Sequence, residues 1–152
     1  MSDIVARAKM LIRAPIRDVF QAFVDPRRIR DFWLKSSSGP LTRGAHVEWE
    51  FMAPGARETV DVIEFSRNEC IKFRWSNGSV VDITFEERAD ATTRVSVVLS
   101  GFAGPDSAVQ AVNATEGFAI VLCDLKTLLE TGKSGGMVRD KALIITEELA
   151  IH

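Results

Sequence analysis

The chain has 152 residues, 46% hydrophobic and 26% charged, and its 19 basic and 21 acidic side chains leave a formal net charge of -2. That is enough for one globular domain and lies outside the low-hydrophobicity regime of disorder. The slight acidic excess argues against general electrostatic binding of nucleic acid, and two histidines, His46 and His152, are too few for a multi-histidine metal site.

Ile4, Ala6, Ala8, Met10 and Ile12 alternate with Val5, Arg7, Lys9, Leu11 and Arg13. That period of two predicts a half-buried strand. Pro15 suits a first helical turn, and Ile16, Val19, Phe20 and Phe23 then recur at i, i+3, i+4 and i+7. Asp25-Pro26 ends this helix and caps a second, on which Ile29, Phe32 and Trp33 share a face. Residues 34–45 carry Ser, Gly and Pro and read as loop.

Four or five strands follow. Val47, Trp49 and Phe51 alternate with His46, Glu48 and Glu50, and Ala53-Pro54-Gly55-Ala56 is a turn. Residues 58–66 make the next strand, and Ile71, Phe73 and Trp75 the one after. Asn77-Gly78 predicts a type I′ hairpin turn, with φ > 0 at both positions. Val81, Ile83 and Phe85, then Val95, Val97 and Leu99, complete an antiparallel meander. From Asp106 to Thr131, Val109, Val112, Phe118, Val121, Leu122, Leu125, Leu128 and Leu129 hold a helical period, with Gly132 as its C′ cap. These elements predict an α+β domain over residues 1–132, with a curved antiparallel sheet wrapped around a long C-terminal helix and two short helices at one end. Residues 133–152 form a tail, either a helix on the sheet or a strand for a partner's edge.

Cys70 and Cys123 do not make a disulfide framework and read as reduced thiols. The N-terminus has no apolar core of a signal peptide, and the longest apolar run, Phe118–Cys123, is too short to span a membrane. The expected location is the cytoplasm.

Ala14-Pro15 with Val19-Phe20, Val24-Asp25-Pro26 and Phe32-Trp33 come first, then Trp49-Glu50-Phe51 and Ile71-Lys72-Phe73-Arg74-Trp75. Ser100-Gly101-Phe102, Thr115-Glu116-Gly117-Phe118 and Leu125–Glu130 follow. In order and spacing this series resembles the helix-grip (START-like, SRPBCC) superfamily, in its bacterial branch related to the activator of the heat-shock protein 90 ATPase. The resemblance covers roughly residues 3–132, and Lys35-Ser36-Ser37 resembles a subgroup of the branch. It implies an apolar cavity between sheet and long helix. Members bind lipids, sterols, hormones or polyketides, catalyse cyclisation or dehydration, or act as co-chaperones; the fold does not choose among these.

The candidate ligand-binding residues are Trp33, Trp49, Asp61, Trp75 and Glu116. The tryptophans either line a cavity, where an indole N–H can orient a ligand, or simply pack in the core. Trp33, at the end of a short helix, is the candidate for the cavity mouth. Asp61 faces inward if Ile63 and Phe65 do, and is then a desolvated acid; if Val60 and Val62 face inward, it lies in water. Asp82 is the weaker case, because Val81 and Ile83 form the stronger inward face. Glu116 points to the cavity mouth or to solvent, and Gly117 beside it costs helix stability that a close approach or a ligand would explain. His46, Glu48 and Glu50 share a strand face but make a poor metal set, and Arg27, Arg28, Arg30, Lys35 and Arg43 form a basic cluster. No glycine spacing matches a phosphate loop, and neither metal nor cofactor is expected.

Three functions stay open. The first is binding of a small hydrophobic molecule. The second is a protein-interaction or co-chaperone-like module, with a chaperone partner or a homodimer through the tail. The third is a cyclase- or hydrolase-type enzyme with Asp61 as interior acid.

Overall fold

A computed structural model describes residues 3–151, so His152 lies outside the described residues. The strands are β1 (Ala6–Ile12), β2 (Leu34–Ser37), β3 (His46–Phe51), β4 (Arg57–Ser66), β5 (Cys70–Trp75), β6 (Val80–Arg88) and β7 (Thr92–Ser100). The helices are α1 (Ile16–Val24), α2 (Pro26–Ile29), α3 (Ser107–Thr131) and α4 (Met137–Ile151). One antiparallel sheet of seven strands runs in the order β1-β7-β6-β5-β4-β3-β2. It curls around α3 in the helix-grip arrangement.

Register explains the core. Leu99, Val81, Phe73 and Val62 stand opposite one another across four strands, and Val97, Ile83, Ile71 and Phe65 form the next row. Period-two patterning puts each row on the concave face. Phe20 and Phe23 of α1 close one end, with Phe20 edge-on to Phe65 and Phe85 at centroid distances of 5.3 and 5.2 Å. A buried Thr93 hydroxyl donates to the Ala14 carbonyl at 2.8 Å and ties β7 to the chain entering α1. The far end of α3 is fixed to β1. Lys126 Nζ donates to the Leu11 carbonyl at 2.7 Å, and the Glu130 carboxylate accepts the Arg13 N–H at 2.8 Å. That backbone hydrogen bond, with one from Lys126, holds the Glu130 carboxyl below its usual range.

Several expectations are corrected. Residues 34–37 are not loop but the edge strand β2, paired with β3 through a bulge between Leu34 and Ser36. Asn77-Gly78 does not form a type I′ turn. Only Gly78 of the two has a positive φ (91°); its N–H donates to the Trp75 carbonyl, and the Trp75 N–H donates to Ser79. That is a three-residue loop with glycine at the bulge position. Asn77 Oδ1 accepts from the Ser79 N–H and hydroxyl, which favours this turn over the tighter one. Val109 and Val112 are exposed, and Ala111 faces in instead. By length and composition α3 could cross a membrane, but Phe118, Val121, Leu122, Asp124 and Leu125 are buried and it packs as the core helix of the grip.

The tail is helical. Gly132 takes φ 84° as the cap of α3, and its N–H donates to the Leu128 carbonyl at 2.8 Å. The next helix, α4, packs back on α3. Its start is held by Asp124, which is 1% exposed. Asp124 Oδ1 accepts from Ser134 Oγ (2.9 Å) and the Gly135 N–H (3.1 Å), and Oδ2 accepts from the Val138 N–H (3.2 Å). A carboxylate from one helix thus satisfies one free N–H in the first turn of another and holds the chain that leads into it.

Candidate functional site

The three tryptophans come together on the concave face. Trp49 (β3) and Trp75 (β5) point inward by strand alternation, and Trp33 reaches them from the turn after α2. Ring centroids lie 4.9 Å apart for Trp33–Trp49, 5.5 Å for Trp49–Trp75 and 5.0 Å for Phe73–Trp75. Phe118 of α3 meets Trp33 at 5.3 Å. All these contacts are edge-on, the geometry that aromatic quadrupoles prefer. The Trp49 side chain is fully buried, yet its indole N–H finds no acceptor among the described residues.

Above this cluster opens a cleft of about 390 Å³. Trp33, Trp75 and Phe51–Ala53 form its floor and one rim, while Ala114, Gly117, Phe118 and Val121 of α3 form a wall. The other wall comes from the tail: Val138, Lys141, Ala142 and Ile145 of α4. Gly117 has nothing within 4 Å of where a Cβ would sit, so the missing side chain leaves open space at the cleft wall. Apart from Lys141, every lining side chain is uncharged.

Glu116 lies at the rim rather than in the lining. Its carboxylate holds Lys141 Nζ at 2.5 Å, with the glutamate side chain 57% and the lysine side chain 30% exposed. That hydrogen bond raises the Lys141 pKa and keeps the side chain an ammonium at neutral pH.

Asp61 is corrected. Val60 and Val62 are buried on the concave face, and Asp61 projects from the outer face, 56% exposed. It stands opposite His46 in the β3–β4 register and hydrogen-bonds its Nδ1. Asp61 raises the His46 pKa through that bond. It is therefore no interior acid and takes no part in the cleft. His46, Glu48 and Glu50 form no metal-binding group among the described residues. Three members of the basic cluster are paired: Arg27 and Arg28 share Asp25, and Lys35 pairs with Glu50. Cys70 and Cys123 are free thiols.

A second depression, about 440 Å³, lies at the β2–β4 edge among Ser36–Ser38, Glu48, Glu50, Arg57, Glu58 and Ser76, and Trp49 borders it. Its polar groups are mostly spent on one another: Glu58 Oε1 takes the Ser76 N–H at 2.7 Å, and Arg57 pairs with Glu50.

Two site residues escape sequence reasoning, Asp124 and Lys141. The first had a legible signal, an acid at a core position three residues after Val121 and next to Leu125. Lys141 had none, because its place depends on how the tail docks.

The fold is similar to that of SSP2350 from Staphylococcus saprophyticus, at 30% identity, covering 86% of this chain and 95% of that one, with a TM-score of 0.77. It is also similar to DynU16, a protein of the dynemicin biosynthetic locus, at 27% identity and TM-score 0.77, covering 88% of this chain and 49% of that one. A third likeness, to the Aha1 dimer of Colwellia psychrerythraea, has 18% identity and a TM-score of 0.76, covers 86% of this chain and 99% of that one, and bears on fold alone. No curated protein matches the sequence. Residues 13–130, from the end of β1 to the last turn of α3, match the family of activator of Hsp90 ATPase homolog 1-like proteins, and to that family the chain belongs.

Proposed function

We propose that the protein binds a small hydrophobic molecule in the cleft between the sheet, α3 and α4. The observation that carries this reading is an apolar, aromatic-floored space of about 390 Å³, within the size range of small-molecule sites. The half-buried Trp75 supplies aromatic contact surface there, and the buried Trp33 and Trp49 back it from beneath. The similarity to DynU16, a putative protein of the dynemicin biosynthetic locus, agrees with a small-molecule occupant. Free thiols agree with a cytoplasmic protein.

Gly117 gives the direct test. Gly117→Ala is expected to stabilise the protein by about 0.5–1 kcal/mol, because alanine is the better helix former and the position has room. Gly117→Phe is expected to fill the cleft and abolish binding. Urea unfolding measures the first, and native mass spectrometry of protein purified without organic extraction, followed by tryptophan-fluorescence titration with aromatic and aliphatic ligands, measures the second. Equal binding by wild type and Gly117→Phe would put the ligand elsewhere.

A second reading, a homodimer through α4, is favoured by its exposed Leu143, Ile144 and Leu149. Sedimentation is expected to show a dimer that Leu143→Glu with Leu149→Glu dissociates. A wild type that stays monomeric at high concentration rules the dimer out.

A further inference from the structure

We propose that Lys141 makes the cleft selective for amphipathic molecules with a single carboxylate, the apolar body lying on the aromatic floor and the acid at the α4 rim. This rests on the cleft being the ligand site. Among the described residues Lys141 is the sole ionisable one in the cleft lining, and it is contributed by α4, outside the segment that matches the family. Its side chain is only 30% exposed, so the stem runs along the apolar wall with its ammonium at the edge.

That ammonium has three N–H donors, and Glu116 engages it from one side. Glu116 is itself well exposed and screened by water, so it competes weakly with an acid arriving from the apolar side. A carboxylate there gains a charge-assisted hydrogen bond, while a neutral head of the same shape does not. The number of charges follows from the surroundings. Glu116 already pairs with Lys141, so a dianion such as a phosphate monoester sets two further charges against one ammonium that is partly neutralised. A monoanion keeps the local balance closer to neutral.

The test uses the full chain and two probes of one shape, anthracene-2-carboxylate and anthracene-2-carboxamide, followed by quenching of tryptophan fluorescence. Wild type is expected to prefer the carboxylate by about five- to tenfold. Lys141→Met is expected to bring that ratio to about one, Lys141→Arg to keep it, and Glu116→Gln to raise it. Equal affinity of wild type for the two probes, or a preference that survives Lys141→Met, overturns the selectivity and leaves the cleft as a site. Failure of both probes to bind wild type, with ligands of other shapes also silent, overturns the cleft reading and this inference with it.

Discussion

Replacing Asp124 with alanine is expected to lower stability by about 3 kcal/mol and to release α4 from the domain. The carboxylate is buried and accepts hydrogen bonds from Ser134 Oγ, Gly135 N–H and Val138 N–H. Hydrogen bonds to a charged group count for more than neutral ones, and their loss leaves donors without partners. The cost stays moderate because a released tail returns its donors to water. Urea unfolding measures the stability. Limited trypsin digestion at Lys133, Arg139 and Lys141 reports on the tail, and cleavage there is expected to accelerate well before the domain unfolds. Asp124→Asn keeps the shape but turns an amide N–H toward one of the donors, so it should fall between alanine and wild type. Unchanged tryptic cleavage in Asp124→Ala would show that α4 is held by its apolar contacts alone. Because Val138, Lys141, Ala142 and Ile145 form one cleft wall, the same variant is expected to lose ligand affinity.

The largest loss is expected from Trp49→Ala, about 3–5 kcal/mol and a fall in Tm of about 10 °C. Trp49 is in ring contact with Trp33, Phe51, Phe73 and Trp75, so its removal empties the middle of the aromatic cluster. Trp49→Phe should cost far less than a comparable truncation elsewhere, on the order of 1 kcal/mol, because it also deletes a buried N–H with no acceptor. Thermal unfolding of the two variants separates the contributions. A Phe variant as damaged as the Ala variant would mean that the indole N–H has a partner, such as a held water.

Much of this architecture is legible from residue order, because each strand's apolar side chains alternate and the short turns leave little choice of pairing. The failures have local causes. In residues 58–66 both proposed inward faces are partly right: Val60 and Val62 face the core, and so does Phe65. A register shift between Val62 and Glu64 puts the extra residue, Ile63, outside, and a strict period of two cannot describe a strand that changes phase. β2 is too short for any periodicity to register and exists because β3 offers an edge. Val109 and Val112 fit a helical period but lie outward, because periodicity identifies a face without saying what lies opposite it. The tryptophan cluster could be expected as three inward aromatics, but its meeting with α4 depends on the turn at residues 132–136.

That turn has a consequence for sequences beyond this one. Asp124 falls inside the 13–130 span that defines the family, while the three groups it accepts from belong to residues 134–138. An acid buried in the face of a long helix is tolerable only while its donors are there. Aspartate at this position and the extension that follows should therefore be inherited as a pair, and lost as a pair. A single letter in the middle of a homologous domain would then tell whether its chain goes on to wall in its own cleft or leaves that side open.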